Sequence, residues 1–452
     1  MSANDQTAGN TTPDRLRLMI AMLRDKIAAT GKSEFRRNVI WFTGFSAFER
    51  LIAVVQTVLI SRALGITEYG VYGLLFGTMG FVASVVGLQM GLTATVFVAK
   101  YREAEKSKAA AVISIVSKFG WIIAAILFLA AAPLSATWSE LLLGSNRYQI
   151  PILLGIVFIS TSIMSGVQDG VAQGFEIFGV LAKLKIVTSI ATLAAILPAA
   201  KQFGLDGVLC VLLAGVIFKF LVLGFAVRRT RKVRHIPSTG TGVSFIGLVS
   251  GFAFPSMAVS LVAGFVTWLG MFMLSRQSAG FHGVAIANTG LQWRGPVLLL
   301  AASLGGVAVP VFSRLAAQGD SASSRTLRRN LLLLNLIVAT VIAFVVISGS
   351  GWIMKLYGDG FSTGRLAFCL IVLSTIPTVV ANVYLQELVG AARMWRQFLL
   401  QIPYLTIMCI CFIVSIPRFQ VLGYAFSILF GAIALLVQVV ITDGSAYQRK
   451  EV

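Results

Sequence analysis

Charge is what this chain has least of. Asp, Glu, Lys and Arg make up 12% of its 452 residues, where soluble domains carry about 25%. So few charges cannot cover a water-exposed surface, which excludes a soluble enzyme or receptor domain. Histidine is almost missing: His235 and His282 both fall in expected loops, so no metal cluster is expected. The four cysteines (Cys210, Cys369, Cys409 and Cys411) lie inside apolar segments without CxxC spacing. They read as small packing residues rather than a disulfide or zinc framework. There is no Walker loop, nucleophile elbow or HExxH, which argues against nucleotide-driven pumping within the chain. Neither a cofactor nor an enzymatic activity is expected.

What is present is apolar: 57% of the chain is hydrophobic and the mean hydropathy is +0.88. Stretches of about 20 apolar residues, each long enough to cross ~30 Å of hydrocarbon as a helix, recur along it. The expected spans are 38–60, 71–93, 110–132, 150–170, 180–199 and 207–227, then 245–273, 284–311, 331–350, 366–388, 398–416 and 421–441. Fold class is therefore an all-α integral membrane protein of about twelve transmembrane helices. Prolines at 255, 296, 310, 377 and 403 interrupt several spans. The backbone groups they free need protein or water partners, which favours a packed bundle around a cavity.

The net charge of +20 could suggest nucleic acid, but the basic residues sit between apolar runs. With the N-terminus placed in the cytoplasm, the tails and alternate loops hold 26 of the 37 basic residues and the opposite loops hold seven. That asymmetry puts both termini inside. The run Arg228-Arg229-Thr230-Arg231-Lys232-Val233-Arg234 then faces anionic headgroups, and no nucleic-acid partner is expected. Near the start, Leu16, Ile20, Leu23 and Ile27 share one helical face ringed by arginines and a lysine. They read as a short amphipathic helix on the membrane surface. The expected organisation is a cytoplasmic amphipathic tail (1–37), a six-helix lobe (38–227), a basic cytoplasmic linker (228–243), a second six-helix lobe (244–441) and a cytoplasmic tail (442–452).

The halves resemble one another at a shift of about 213–216 residues. Ser61-Arg62 followed by Gly70-Val71 matches Ser275-Arg276 followed by Gly283-Val284, and Gly174 matches Gly390. Phe203-Gly204-Leu205-Asp206-Gly207 matches Phe419-Gln420-Val421-Leu422-Gly423, and Gly215 matches Gly431. Six spans per repeat is even, so both halves enter from the same side. This is a parallel repeat with its pseudo-twofold along the membrane normal, and it points to two lobes around a central cavity.

The stretch Leu59-Ile60-Ser61-Arg62-Ala63-Leu64-Gly65-Ile66-Thr67-Glu68-Tyr69-Gly70-Val71-Tyr72, with the basic entry Phe35-Arg36-Arg37-Asn38, resembles the first-loop signature of bacterial polysaccharide flippases. These belong to the multidrug/oligosaccharidyl-lipid/polysaccharide exporter superfamily. The resemblance runs from about 34 to 441. It implies movement of undecaprenyl-diphosphate-linked oligosaccharide from the cytoplasmic to the outer leaflet, alongside a polysaccharide polymerase and glycosyltransferases. The related lipid II flippases carry an arginine twelve residues before the signature arginine, which falls here on Arg50. Their next first-helix arginine falls on Gln56.

Charges inside spans are costly, by about 2.5–3.5 kcal/mol at a helix centre, and usually face a cavity. Arg50 and Arg294 are the central ones, read as cavity residues that bind diphosphate or acidic sugar through the guanidinium fork. The bland alternative is an ion pair buried between helices. Glu49 lies about 100° around the helix from Arg50, so its expected partner is Arg294 or a neighbouring helix. Lys118 and Lys219 sit nearer the cytoplasmic ends, where they either snorkel or bind substrate. Asp169 and Glu387 occupy similar places in the two repeats and read as a gate or ion-coupling pair, or else as solvated helix-end charges. Gln89, Gln168, Asn288, Gln292 and Tyr384 are candidates for hydrogen bonds to sugar hydroxyls, although packing between helices would also account for each. A small-molecule or drug antiporter of the same superfamily is the competing function. Cationic rather than acidic span centres disfavour it.

Overall fold

The computed structural model describes residues 33–448, apart from 88, 238–239, 245–247, 249–252, 319–320 and 391–393. The first half holds α1 (Ser33–Val86), α2 (Met90–Tyr101), α3 (Lys106–Ala131), α4 (Ser135–Leu143), α5 (Gln149–Gly174) and α6 (Phe178–Val233). The second holds α7 (Phe254–Ser275), α8 (Gly280–Gln318), α9 (Ser321–Ser348), α10 (Ser350–Tyr357), α11 (Arg365–Leu373), α12 (Thr375–Gly390) and α13 (Met394–Gln448). Eight helical stretches among the described residues are long and apolar enough to cross a membrane. Helices are the expected answer, because in hydrocarbon every backbone group must be bonded within its own segment. Large apolar side chains lie open on both halves, among them Leu129 (71%), Phe225 (70%) and Phe344 (70%). On a protein in water such a surface would drive association; here it is the face offered to lipid.

Three of the long helices are bent at a single residue: α1 at Gly65, α6 at Gly204 and α13 at Gln420. Loops were expected between the corresponding spans. One residue with positive φ reverses the chain, so no loop is needed. The basic run 228–234 departs from expectation as well. The helix α6 carries on through Val233, so the first part of the expected linker is helical. His282, expected in a loop, stands in the first turn of α8, and the last limb runs to Gln448 rather than ending at 441. The amphipathic helix proposed around Leu16–Ile27 lies outside the described residues.

The repeat is carried by backbone geometry as well as sequence. Gly204 and Gln420 share almost the same conformation, φ 57, ψ −136 and φ 51, ψ −122. A Cβ on Gly207 would strike Ala199, and one on Gly423 would strike Ser415, again at a shift of 216. Short helices α4 and α10, unforeseen in the hydropathy profile, are a further matched pair. Each ends on a positive-φ glycine, Gly144 and Gly358.

Close approach between helices depends on missing side chains. In the first half a Cβ on Gly170 would run into the backbone of Gly91, so α2 and α5 cross on glycine, as membrane helices do where burial from water supplies no drive. Between the halves, a Cβ on Gly70 would collide with the Phe281 carbonyl. Around that crossing Tyr69, Tyr72, Tyr357 and Phe361 form a buried aromatic cluster. It closes the bundle at the end where α1 bends, the end remote from Ser33 and Gln448.

Candidate functional site

A cavity of about 450 Å³ lies between the halves. Four helical limbs build it, the first two of each half, so it sits on the pseudo-twofold. Before its bend, α1 contributes Arg50, Ala53 and Val54; after the bend it contributes Gly73, Gly77, Gly80, Phe81 and Ser84. The spacings of 3 and 4 residues keep these on one helical face. Ser260, Gly264, Thr267 and Trp268 come from α7, and Asn288, Gln292, Gly295 and Pro296 from α8. The glycines keep the walls back and leave width. Trp268 stacks on Phe81 (5.5 Å) and Phe272 (5.4 Å) and donates its indole N–H to Thr78 Oγ1 (3.0 Å), so an aromatic wall is pinned in place.

Among the described residues lining the cavity, Arg50 is the only charged one. It is exposed there and stands 12 residues before Arg62, about 18 Å along the helix. Its neighbour Glu49 accepts from Lys185 Nζ of α6 at 2.7 Å, not from Arg294. Gln56, where the lipid II flippases carry an arginine, donates to Thr192 Oγ1 (2.7 Å) and the Ser189 carbonyl (3.2 Å). It joins α1 to α6 instead of charging the cavity. Asn288 is buried, and its Nδ2 has no partner. Together the described lining residues offer one cation, several neutral donors and acceptors, an aromatic wall and no carboxylate. That is a surface for an anionic, hydroxyl-rich group.

The other expected site residues lie elsewhere. Arg294, on α8, is not among the lining residues. Its Nη2 donates to Thr378 Oγ1 of α12 at 2.9 Å, and its Nε is buried without a partner. Lys219 pairs with Asp169 between α6 and α5, inside the first half. Glu387 accepts from Arg328 (2.9 Å) and Ser324 (2.7 Å), inside the second. Asp169 and Glu387 are thus each neutralised within their own half in this conformation. Lys118 is exposed on α3, away from the cavity. Of the polar candidates, Asn288 and Gln292 line the cavity. Gln89 donates to Ser260 across the halves at 3.1 Å, Gln168 packs against Gly224, and Tyr384 lies under Arg328. Sequence reasoning missed the glycine face of α1 and the Trp268 wall. The signal available was the 73, 77, 80, 84 spacing of small residues.

The family model described as "Polysaccharide biosynthesis protein" matches residues 35–316, more than half of the chain. No curated protein matches it in sequence. Among solved structures, an inward-facing multidrug resistance MATE family transporter of the MOP superfamily is similar with a TM-score of 0.73 at 14% identity, over 89% of this chain and 96% of that one. The lipid II flippase MurJ, in an inward closed conformation, is similar with a TM-score of 0.72 at 14% identity, over 90% and 87%. The Vibrio cholerae MATE transporter VcmN, in its bent form, follows at 0.66 and 15%, over 92% and 98%. At such identities these likenesses establish the fold.

Proposed function

The chain belongs to the polysaccharide biosynthesis protein family and has the fold of MOP-superfamily transporters, and from that premise we propose that it flips undecaprenyl-diphosphate-linked oligosaccharide across the bacterial cytoplasmic membrane by alternating access. The observation that carries this reading is the cavity between the halves, where the described lining residues include one charge, Arg50, and no carboxylate. A diphosphate cannot cross hydrocarbon unaided, because burying an unpaired charge is prohibitive. A guanidinium in a polar cavity lowers that cost while the polyprenyl tail stays in lipid. The aromatic wall and the amides of Asn288 and Gln292 suit sugar rings. Outward movement of the diphosphate is also assisted by an inside-negative potential, by about 2.3 kcal/mol per charge per 100 mV.

In this reading both termini face the cytoplasm, basic segments hold anionic headgroups, and a polymerase and glycosyltransferases act before and after the transfer. A cationic-drug antiporter would want carboxylates in the cavity, so the lining favours the flippase over that alternative.

Cells lacking the gene, complemented with the wild-type chain or with Arg50→Ala, provide the test. Without function, lipid-linked oligosaccharide should accumulate in the cytoplasmic leaflet and polymerised glycan should be lost, with dye efflux unchanged. Lost efflux with intact polysaccharide would transfer the assignment to the antiporter.

A further inference from the structure

At the end of the bundle where α1 bends, each half finishes a short helix belonging to the other. Arg62, on α1 of the first half, donates through Nε to the Leu356 carbonyl (2.6 Å) and through Nη2 to the Lys355 carbonyl (3.0 Å). Both carbonyls belong to the last turn of α10. Beside it, Ser61 Oγ donates to the Tyr357 carbonyl (2.7 Å), and Thr57 Oγ1 shares a hydrogen bond with the Tyr357 hydroxyl (3.0 Å). The converse contact exists too. Arg276, the residue that caps the C-terminal end of α7 in the second half, donates through Nη2 to the Leu141 carbonyl in the last turn of α4. Arg62 to Arg276 is a step of 214 residues, and so is Leu141 to Lys355. The two contacts are one contact repeated by the pseudo-twofold.

The chemistry is that of helix termini. The last four carbonyls of a helix have no partner within it, and they carry the negative end of its dipole. Gly144 and Gly358 end α4 and α10 in positive φ, and their own N–H groups turn back to the Glu140 and Lys355 carbonyls (2.9 and 3.3 Å), while the Leu141 and Leu356 carbonyls take an arginine from outside the helix. A guanidinium offers several donors and a permanent charge to such a terminus. In each case here it comes from across the interface. Both arginines are exposed, so water can take their place when the halves part. A buried ion pair would resist separation, whereas these exposed bonds exchange for solvent at a modest net cost. The closure is unequal. Arg62 brings two bonds and the support of Ser61 and Thr57, while Ser275, the counterpart of Ser61, donates to the Phe272 carbonyl of its own helix.

We infer that Arg62 and Arg276 are gating residues: reciprocal, reversible caps that hold the two halves together at this end and release when the cavity opens there. The inference rests on the alternating-access reading above but on none of its claims about substrate.

The test is a distance measurement on purified protein in nanodiscs, where both faces are accessible. Spin labels at Leu134→Cys, just before α4, and Trp352→Cys, on α10, report the separation of the two short helices, in a background with the four native cysteines replaced. Arg62→Gln should raise the ratio of long-distance to short-distance molecules by on the order of tenfold, since the two bonds lost are exposed and water replaces much of their worth. Arg276→Gln should raise it less, the double variant most, and Arg62→Lys should fall between wild type and Arg62→Gln. An unchanged distribution in a monodisperse double variant would overturn the gate. The precursor assay in cells is read separately. A shifted distribution in the variants, with normal leaflet placement of the lipid-linked oligosaccharide in cells lacking the chain, would leave the gate standing and remove the proposed substrate.

Discussion

Lys185 Nζ lies 2.7 Å from Glu49 Oε2, so the carboxylate adjacent to the cavity arginine is neutralised by a different helix. Glu49 and Arg50 point about 100° apart on α1, and α6 supplies the countercharge. Arg50 is left with no carboxylate among the described residues.

That arrangement makes Lys185 a silent contributor to the cavity. Lys185→Gln should free the Glu49 carboxylate to compete with a diphosphate for Arg50. Transport should fall by on the order of tenfold, the worth of one charge-assisted hydrogen bond. Adding Glu49→Gln should restore most of it. Precursor translocation in complemented cells measures both. A double variant as impaired as the single one would show that Lys185 acts through the fold instead.

Arg294 lends itself to separating stability from function. Between residues 253 and 442 the chain has only three carboxylates, Asp320, Asp359 and Glu387, and Arg328 already holds Glu387. Replacing a half-buried cation whose Nε is buried without a partner by an apolar side chain of similar length removes a desolvation cost. Arg294→Met should therefore melt at or above the wild-type temperature while losing transport, if this arginine serves the substrate. A lower melting temperature together with loss of protein from the membrane would mark it as structural.

The paired bends should respond in opposite directions. Gly204→Ala meets nothing within 4 Å, so its cost is conformational, about 1–3 kcal/mol for a side chain held at this φ/ψ. Gln420→Gly should relieve a similar strain at the matched position. It also gives up the bond from Gln420 Nε2 to Ser278 Oγ (2.6 Å), so its gain should be the smaller of the two effects. Thermal unfolding of the purified variants decides. Stabilisation by Gly204→Ala would contradict the backbone assignment.

The membrane orientation follows from charge and is open to direct labelling. In a cysteine-free background, single cysteines at Lys232 and Arg325 should react only from the cytoplasm, and those at Arg147 and Lys355 only from outside. Outside labelling at position 232 would invert the topology and, with it, the face on which the proposed Arg62 and Arg276 gate lies.

Much of the architecture follows from residue order alone. Apolar runs of about 20 residues, the basic asymmetry of 26 against seven, and recurrences such as Gly204 with Gln420 are local or additive properties. Hydropathy sums along the chain, and a shifted match needs no coordinates. Arg50 was legible as a cavity residue for the same reason: a charge at the middle of a span must face something polar. Only the tertiary structure decided the partners. Hydropathy counts lipid and protein interior alike as apolar, so it could not say that Arg294 turns toward Thr378 and away from the cavity. It could not say that Glu49 meets Lys185, or that Asp169 and Glu387 are each paired within their own half. Those outcomes depend on how far each helix is rotated about its axis against its neighbours, which glycines such as Gly70 and Gly170 set by allowing backbones to touch. The reach of Arg62 to a helix terminus 293 residues further along the chain is of this kind, because it exists only where the two halves meet.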